Sequence, residues 1–129
     1  MLILFVSITQ IKAQLKVSKK TIDVYAKIAP ENIHINQNKE VLFTGQKLLF
    51  KLFCLNKDYS AGISKIVYVE LIDSNKNIVF KQKIRIKDAV AYGDFKASYS
   101  LKSGNYKLIA YTQWMRNGGD QNFSSSNVF

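Results

Sequence analysis

Several residue types that catalytic and metal-binding proteins depend on are nearly missing from this chain. One cysteine, one histidine and one proline occur in 129 residues. A single cysteine excludes an internal disulfide, and no Cys/His spacing for zinc exists. A Ser-His-Asp or Cys-His arrangement would have to use His34, and no Gly-x-Ser-x-Gly elbow accompanies it. His34 falls on the polar side of a short alternating stretch, which makes it a solvated or hydrogen-bonded strand residue. Arginine is scarce too: only Arg85 and Arg116 stand among 19 Lys+Arg. The formal charge of +10 is therefore carried by lysine, which lacks the planar fork used on phosphates and base edges. Such an excess speaks for general attraction to anions and against nucleic-acid recognition. The most apolar run, Met1–Ala13, is too short to cross a bilayer as a helix.

What remains is globular: 47% hydrophobic and 22% charged residues, enough for one domain. Met1–Ala13, a short apolar run ending in a small residue, has the look of a secretory signal cleaved after Ala13, although no Lys or Arg precedes it. A buried strand of the fold is the alternative. In Gln14–Pro30, Ile22, Tyr25, Ala26, Ile28 and Ala29 recur at roughly helical spacing until Pro30 stops them. A linker or short helix is expected there.

From Glu31 to Phe129 the period changes to two. Ile33 and Ile35 alternate with Asn32, His34 and Asn36; Val41–Phe43 is a short second piece, turned by Thr44-Gly45-Gln46 into Lys47–Leu55. There Leu48, Phe50, Leu52 and Cys54 share one face, so Cys54 is expected as a small core residue and not as a reactive thiol. Lys65–Asp73 puts Val67, Val69 and Leu71 on one face, and Asp73–Asn77 makes a hairpin connection. Ile78–Lys87 places Ile78, Phe80, Ile84 and Ile86 inward and Lys81, Lys83, Arg85 and Lys87 outward. Phe95, Ala97 and Tyr99 alternate again. Ser103–Arg116 then reads as a central strand, with Tyr106, Leu108, Ala110, Thr112 and Trp114 on one side. Leu101-x-x-Gly104-x-Tyr106 has the form of a tyrosine corner, in which the hydroxyl anchors the preceding crossover. Gln121–Phe129 begins a last strand that the end of the sequence cuts short. About seven short strands with no βαβ rhythm predict an all-β, immunoglobulin-like antiparallel sandwich.

Candidate sites are few. Asp73-x-Asn75-x-Asn77 starts like a calcium loop, but Ile78 and Ile84 stand where its Gly and Glu belong. Asn122-Phe123-Ser124 fits the glycosylation acceptor pattern, which is common by chance. No catalytic, cofactor or metal set emerges. The row Lys81, Lys83, Arg85, Lys87 is a candidate interaction surface for an anionic membrane or an acidic partner. Equally, such lysines can blunt an edge strand against aggregation. Tyr59, Tyr111 and Trp114 could serve as a stacking platform in a carbohydrate-binding sandwich.

Two blocks carry a resemblance. One is Glu31–Phe50; the other comprises Val67–Asp73, Gly93-Asp94-Phe95, Ser103-Gly104-Asn105-Tyr106 and Tyr111-Thr112-Gln113-Trp114-Met115-Arg116-Asn117. Together they resemble the macroglobulin domains of the α2-macroglobulin superfamily, of the type near the N-terminus in bacterial homologues, as in exported, outer-membrane-associated proteins of Bacteroidota. Gln37-Asn38-Lys39-Glu40 replaces a Thr-Asp-Lys-Pro turn. The thioester signature Gly-Cys-Gly-Glu-Gln is absent, and Cys54 has none of its neighbours, so covalent protease trapping is not carried over. The resemblance implies a non-enzymatic module at the periplasm, outer membrane or cell surface, with a protein partner there and endopeptidase-inhibitor ancestry.

Overall fold

The computed structural model describes residues 30–129. The expected signal segment and almost all of the expected linker lie outside the described residues. Seven strands form an immunoglobulin-like antiparallel sandwich: β1 (Glu31–Gln37), β2 (Lys47–Asn56), β3 (Ile66–Ile72), β4 (Ile78–Arg85), β5 (Val90–Lys96), β6 (Tyr106–Thr112) and β7 (Ser124–Val128). One sheet runs β1-β2-β5 and the other β4-β3-β6-β7. A five-residue helix α1 (Gln113–Asn117) and a 3-10 turn (Asp120–Asn122) connect β6 to β7.

The two-residue period explains the core. Ile33, Leu48, Phe50, Leu52 and Cys54 of one sheet meet Val67, Val69, Leu71, Leu108, Ala110 and Val128 of the other in one buried cluster. Burying a Leu or Val side chain is worth about 2 kcal/mol, and these interlocking residues leave neither layer stable alone. Gly93 is part of that fit. A Cβ there would lie 2.4 Å from the Phe50 ring and 2.7 Å from Ile84 Cδ1, so only hydrogen lets β5 close onto the opposite layer.

Four local expectations are corrected. The strand beginning near Tyr106 ends at Thr112, and Trp114 lies on α1. The Thr112 hydroxyl accepts the Met115 N–H at 3.1 Å and caps the helix, which turns Met115 into the core. Val41–Phe43 forms no strand, because this segment crosses between the sheets. Leu42 N–H donates to Phe129 O at 2.8 Å, the adjoining Glu40 O accepts the Phe129 N–H at 2.7 Å, and Phe43 O accepts the Gln46 N–H of the following turn at 3.0 Å. Ile78 points outward and is 53% exposed, since a bulge pairs Ile72 with Ile78 and shifts the phase by one residue. Tyr99 falls beyond β5, which instead begins at Val90 after a turn with positive φ at Asp88 and Ala89. That turn lacks the glycine that marks such hairpins, so the sequence pattern runs past it.

Candidate functional site

Polar side chains gather at the end of the sandwich where β1 starts. Glu31 is in phase with Ile33 and faces inward, and its carboxylate accepts three hydrogen bonds. Ser64 gives its N–H to Oε1 at 2.7 Å and its hydroxyl to Oε2 at 2.6 Å, while Thr112 Oγ1 donates to Oε2 at 2.6 Å. One buried carboxylate thus ties the first strand to the segment before β3 and to the β6–α1 junction. Cys54 lies beside it; burial, and secondarily the Glu31 charge, pushes its thiol up to about 12, so the thiolate is suppressed. Above this cluster opens a cleft of about 760 Å³ lined by Pro30, Lys57, Trp114, Met115 and Asn122 among others. The arrangement holds a fold together. Two hydroxyls and one N–H share the single carboxylate, and the three bonds join β1 to two other segments.

The sequence reading placed Glu31 in a strand without giving it a role. Its phase with Ile33 and Ile35 was the available signal.

Elsewhere the candidate residues separate. Among the described residues no group of three or more His, Cys, Asp or Glu is placed to hold a metal ion. Asp73 Oδ1 instead accepts the N–H groups of Asn77 at 2.8 Å and Asn75 at 2.9 Å. The backbone bond from Asn77 does most to hold its carboxyl below the usual range. His34 lies opposite Phe53 on the outer side of its sheet. Tyr106 donates its hydroxyl to Lys102 O at 2.5 Å, the geometry of a tyrosine corner, and Gly104 precedes it with φ +159°.

The three candidate stacking residues do not share a surface. Tyr111 is only 6% exposed; its ring stacks on Tyr68 (5.4 Å) and on Phe123 (4.3 Å). Tyr59 is 78% exposed in the turn after β2, and Trp114 is half-buried beside the cleft.

The basic row occupies β4, at one edge of the four-stranded sheet. Cross-strand register puts Lys81 opposite Glu70, Lys83 opposite Tyr68 and Arg85 opposite Ile66, while Lys87 lies past the strand. Lys81 Nζ pairs with Glu70 Oε1 at 3.3 Å, and that oxygen also accepts the Tyr111 hydroxyl at 2.9 Å. Lys83 Nζ sits 5.6 Å from the centre of the Tyr68 ring. Two of the four cations are therefore folded back over the outer face of β3.

By sequence the chain matches no family model and no curated protein. By structure it is similar to bacterial α-2-macroglobulins. A Salmonella α-2-macroglobulin mutant gives a TM-score of 0.64 at 10% identity over 77% of this chain and 6% of that one. Escherichia coli α-2-macroglobulin activated by porcine elastase gives 0.64 at 9%, over 76% and 8%. The fold is α-2-macroglobulin-like. The CARDB domain of a Pyrococcus furiosus protein, solved in complex with di-metal ions, scores 0.51 at 12% identity over 79% of this chain and 88% of that one. The chain spans under a tenth of the α-2-macroglobulin chains it matches. Among the described residues no helix is long and apolar enough to cross a membrane.

Proposed function

We propose that this domain is a non-catalytic macroglobulin-like module of an exported, envelope-associated bacterial protein, acting through protein contacts or as a structural spacer. The α-2-macroglobulin-like fold carries the reading, and the use of polar side chains supports it. Glu31, Ser64 and Thr112 satisfy one another in holding the sandwich, and no nucleophile, base and oxyanion donor converge elsewhere among the described residues. Endopeptidase-inhibitor ancestry follows from the resemblance alone, as does the placement at the envelope.

Photo-crosslinking residues placed on both outer sheet faces and both ends of the sandwich, in envelope preparations of the native host, test this. A small, repeatable set of crosslinked proteins from one face is the expected result for an interaction module. Turnover of a peptide, ester or glycoside by the purified domain would overturn it.

A second reading, a carbohydrate- or anionic-surface-binding sandwich, keeps Tyr59, Trp114 and the row Lys81, Lys83, Arg85, Lys87. It loses Tyr111, whose ring is covered on both sides. A specific hit on a glycan array, abolished by Trp114→Ala, would favour it over the interaction module.

A further inference from the structure

We infer that β4 is a docking edge for an extended acidic segment of a partner protein, which adds to the four-stranded sheet as a fifth strand. The inference rests on the protein-contact reading above and names the chemistry of the contact. Among the described residues β4 hydrogen-bonds to β3 on one side only. The Ile86 N–H donates to Lys65 O at 2.8 Å, which sets the phase of the antiparallel pattern. Ile84, Gln82 and Phe80 then direct their backbone groups to β3, while Lys81, Lys83 and Arg85 direct theirs to the open edge. The residues that carry the cations are the same ones that carry the unused donors and acceptors.

A strand pairing there would set its own residues directly opposite Lys81, Lys83 and Arg85 on the outer face. Acidic side chains at every second position would meet the row. Residues between them would face the inner lip beside Gln82 and Ile84. The Gln82 side-chain oxygen on this inner side is buried and has no donor among the described residues.

Lysines that guard an edge do so by projecting across it. Lys81 and Lys83 instead lie back toward Glu70 and Tyr68 of β3, away from the open edge. An added strand meets a positive rim without having to displace its side chains.

The test uses the whole chain and two synthetic nine-residue peptides of equal composition. One has Glu at alternate positions with Val and Thr between them; the other has its Glu residues clustered at one end. The alternating peptide is expected to bind and to slow amide exchange at Lys81, Lys83 and Arg85. Lys83→Pro removes an edge donor without touching the β3 ladder and should weaken binding about tenfold. Lys83→Ala, which keeps the N–H, should cost about twofold to threefold. Reversing Lys81, Lys83 and Arg85 to Glu should cost about a hundredfold at low salt.

Equal binding of the two peptides, unchanged exchange on β4, full affinity in the Lys83→Pro chain or binding to anionic vesicles alone would each overturn strand addition. If Lys83→Pro does not fold, the exchange pattern of the unaltered chain decides. Crosslinks from another face, with no peptide binding, would sink this inference and leave the module reading standing. An absence of crosslinks from every face would overturn the protein-contact reading on which this inference rests and leave the spacer.

Discussion

The two long sides of the sandwich are closed by different physics. On one side β1 lies against β7 and the β6–α1 junction, and the joints are polar. Ser124 Oγ donates to Ile33 O, Gln37 Nε2 donates to Asn127 O at 2.9 Å, and Thr112 and Ser64 converge on Glu31. On the other side β4 and β5 approach through rings and methyls: Phe80 packs against Phe95 at 4.9 Å between centroids, and Ile84 and Phe50 crowd over Gly93. Directional bonds fix the first side in one register, although Gln37 Oε1 stays buried without a donor among the described residues. Apolar contact joins the second, and among the described residues its backbone bonds are confined to the turn, where Lys87 N–H donates to Val90 O at 2.9 Å and Val90 N–H to Lys87 O at 3.0 Å. One sandwich can thus be closed by directional bonds along one seam and by packing along the other.

The largest expected effect breaks the polar seam. Glu31→Ala leaves the Ser64 and Thr112 donors without their acceptor and should lower unfolding stability by about 3 kcal/mol, read from urea midpoints. Glu31→Gln, which keeps one acceptor oxygen, should fall between the two. If both variants match the parent, the seam is not held by that carboxylate. On the apolar side, Gly93→Ala forces a methyl into the Phe50 ring and should cost about 2 kcal/mol. Combining it with Phe50→Leu should recover part of that loss, a coupling that independent sites would not give. Ser124→Ala removes a single seam bond and should cost about 1 kcal/mol by the same measurement.

The same contrast explains what could be read from the amino-acid order. Alternation marked Leu48, Phe50, Leu52, Cys54, Val67, Val69 and Leu71 as one core, because burial on one face leaves a two-residue signature in the chain itself. The end of β6 left no such signature. Apolar residues continue from Tyr106 to Met115, and at the strand's end the Thr112 hydroxyl both caps α1 through Met115 N–H and bonds to Glu31, 81 residues away. Ile78 was misplaced for a related reason, since a bulge changes phase without changing composition. The row Lys81, Lys83, Arg85, Lys87 was visible as a row. That its lysines bend back over β3 depends on Tyr68 and Glu70, and cross-strand register alone brings these beside it. Pattern therefore revealed the layers, while the seams and the edge had to come from pairing across the fold.

The smallest effect probes the outer face between the two sides. Burial, and then the hydrogen bond to Glu70, pushes the Tyr111 hydroxyl up to about 12, whereas an unfolded tyrosine ionises near 10. Below pH 10 both states keep the proton, and the contribution of Tyr111 to stability is fully present. Between pH 10 and 12 the unfolded chain releases the proton first, so it binds fewer protons than the folded chain and stability falls. With the Tyr111–Glu70 bond only part-buried, the loss should stay below about 1 kcal/mol. Cys54, raised in the same direction, adds a parallel slope at similar pH, which makes Cys54→Ala the right background. In that background, Tyr111→Phe should flatten the remaining decline between pH 10 and 12 in denaturant midpoints. An undiminished decline would mean that the Tyr68–Tyr111–Phe123 stack does not shelter the hydroxyl, and that the outer face beside β4 is more open to solvent than its rings suggest.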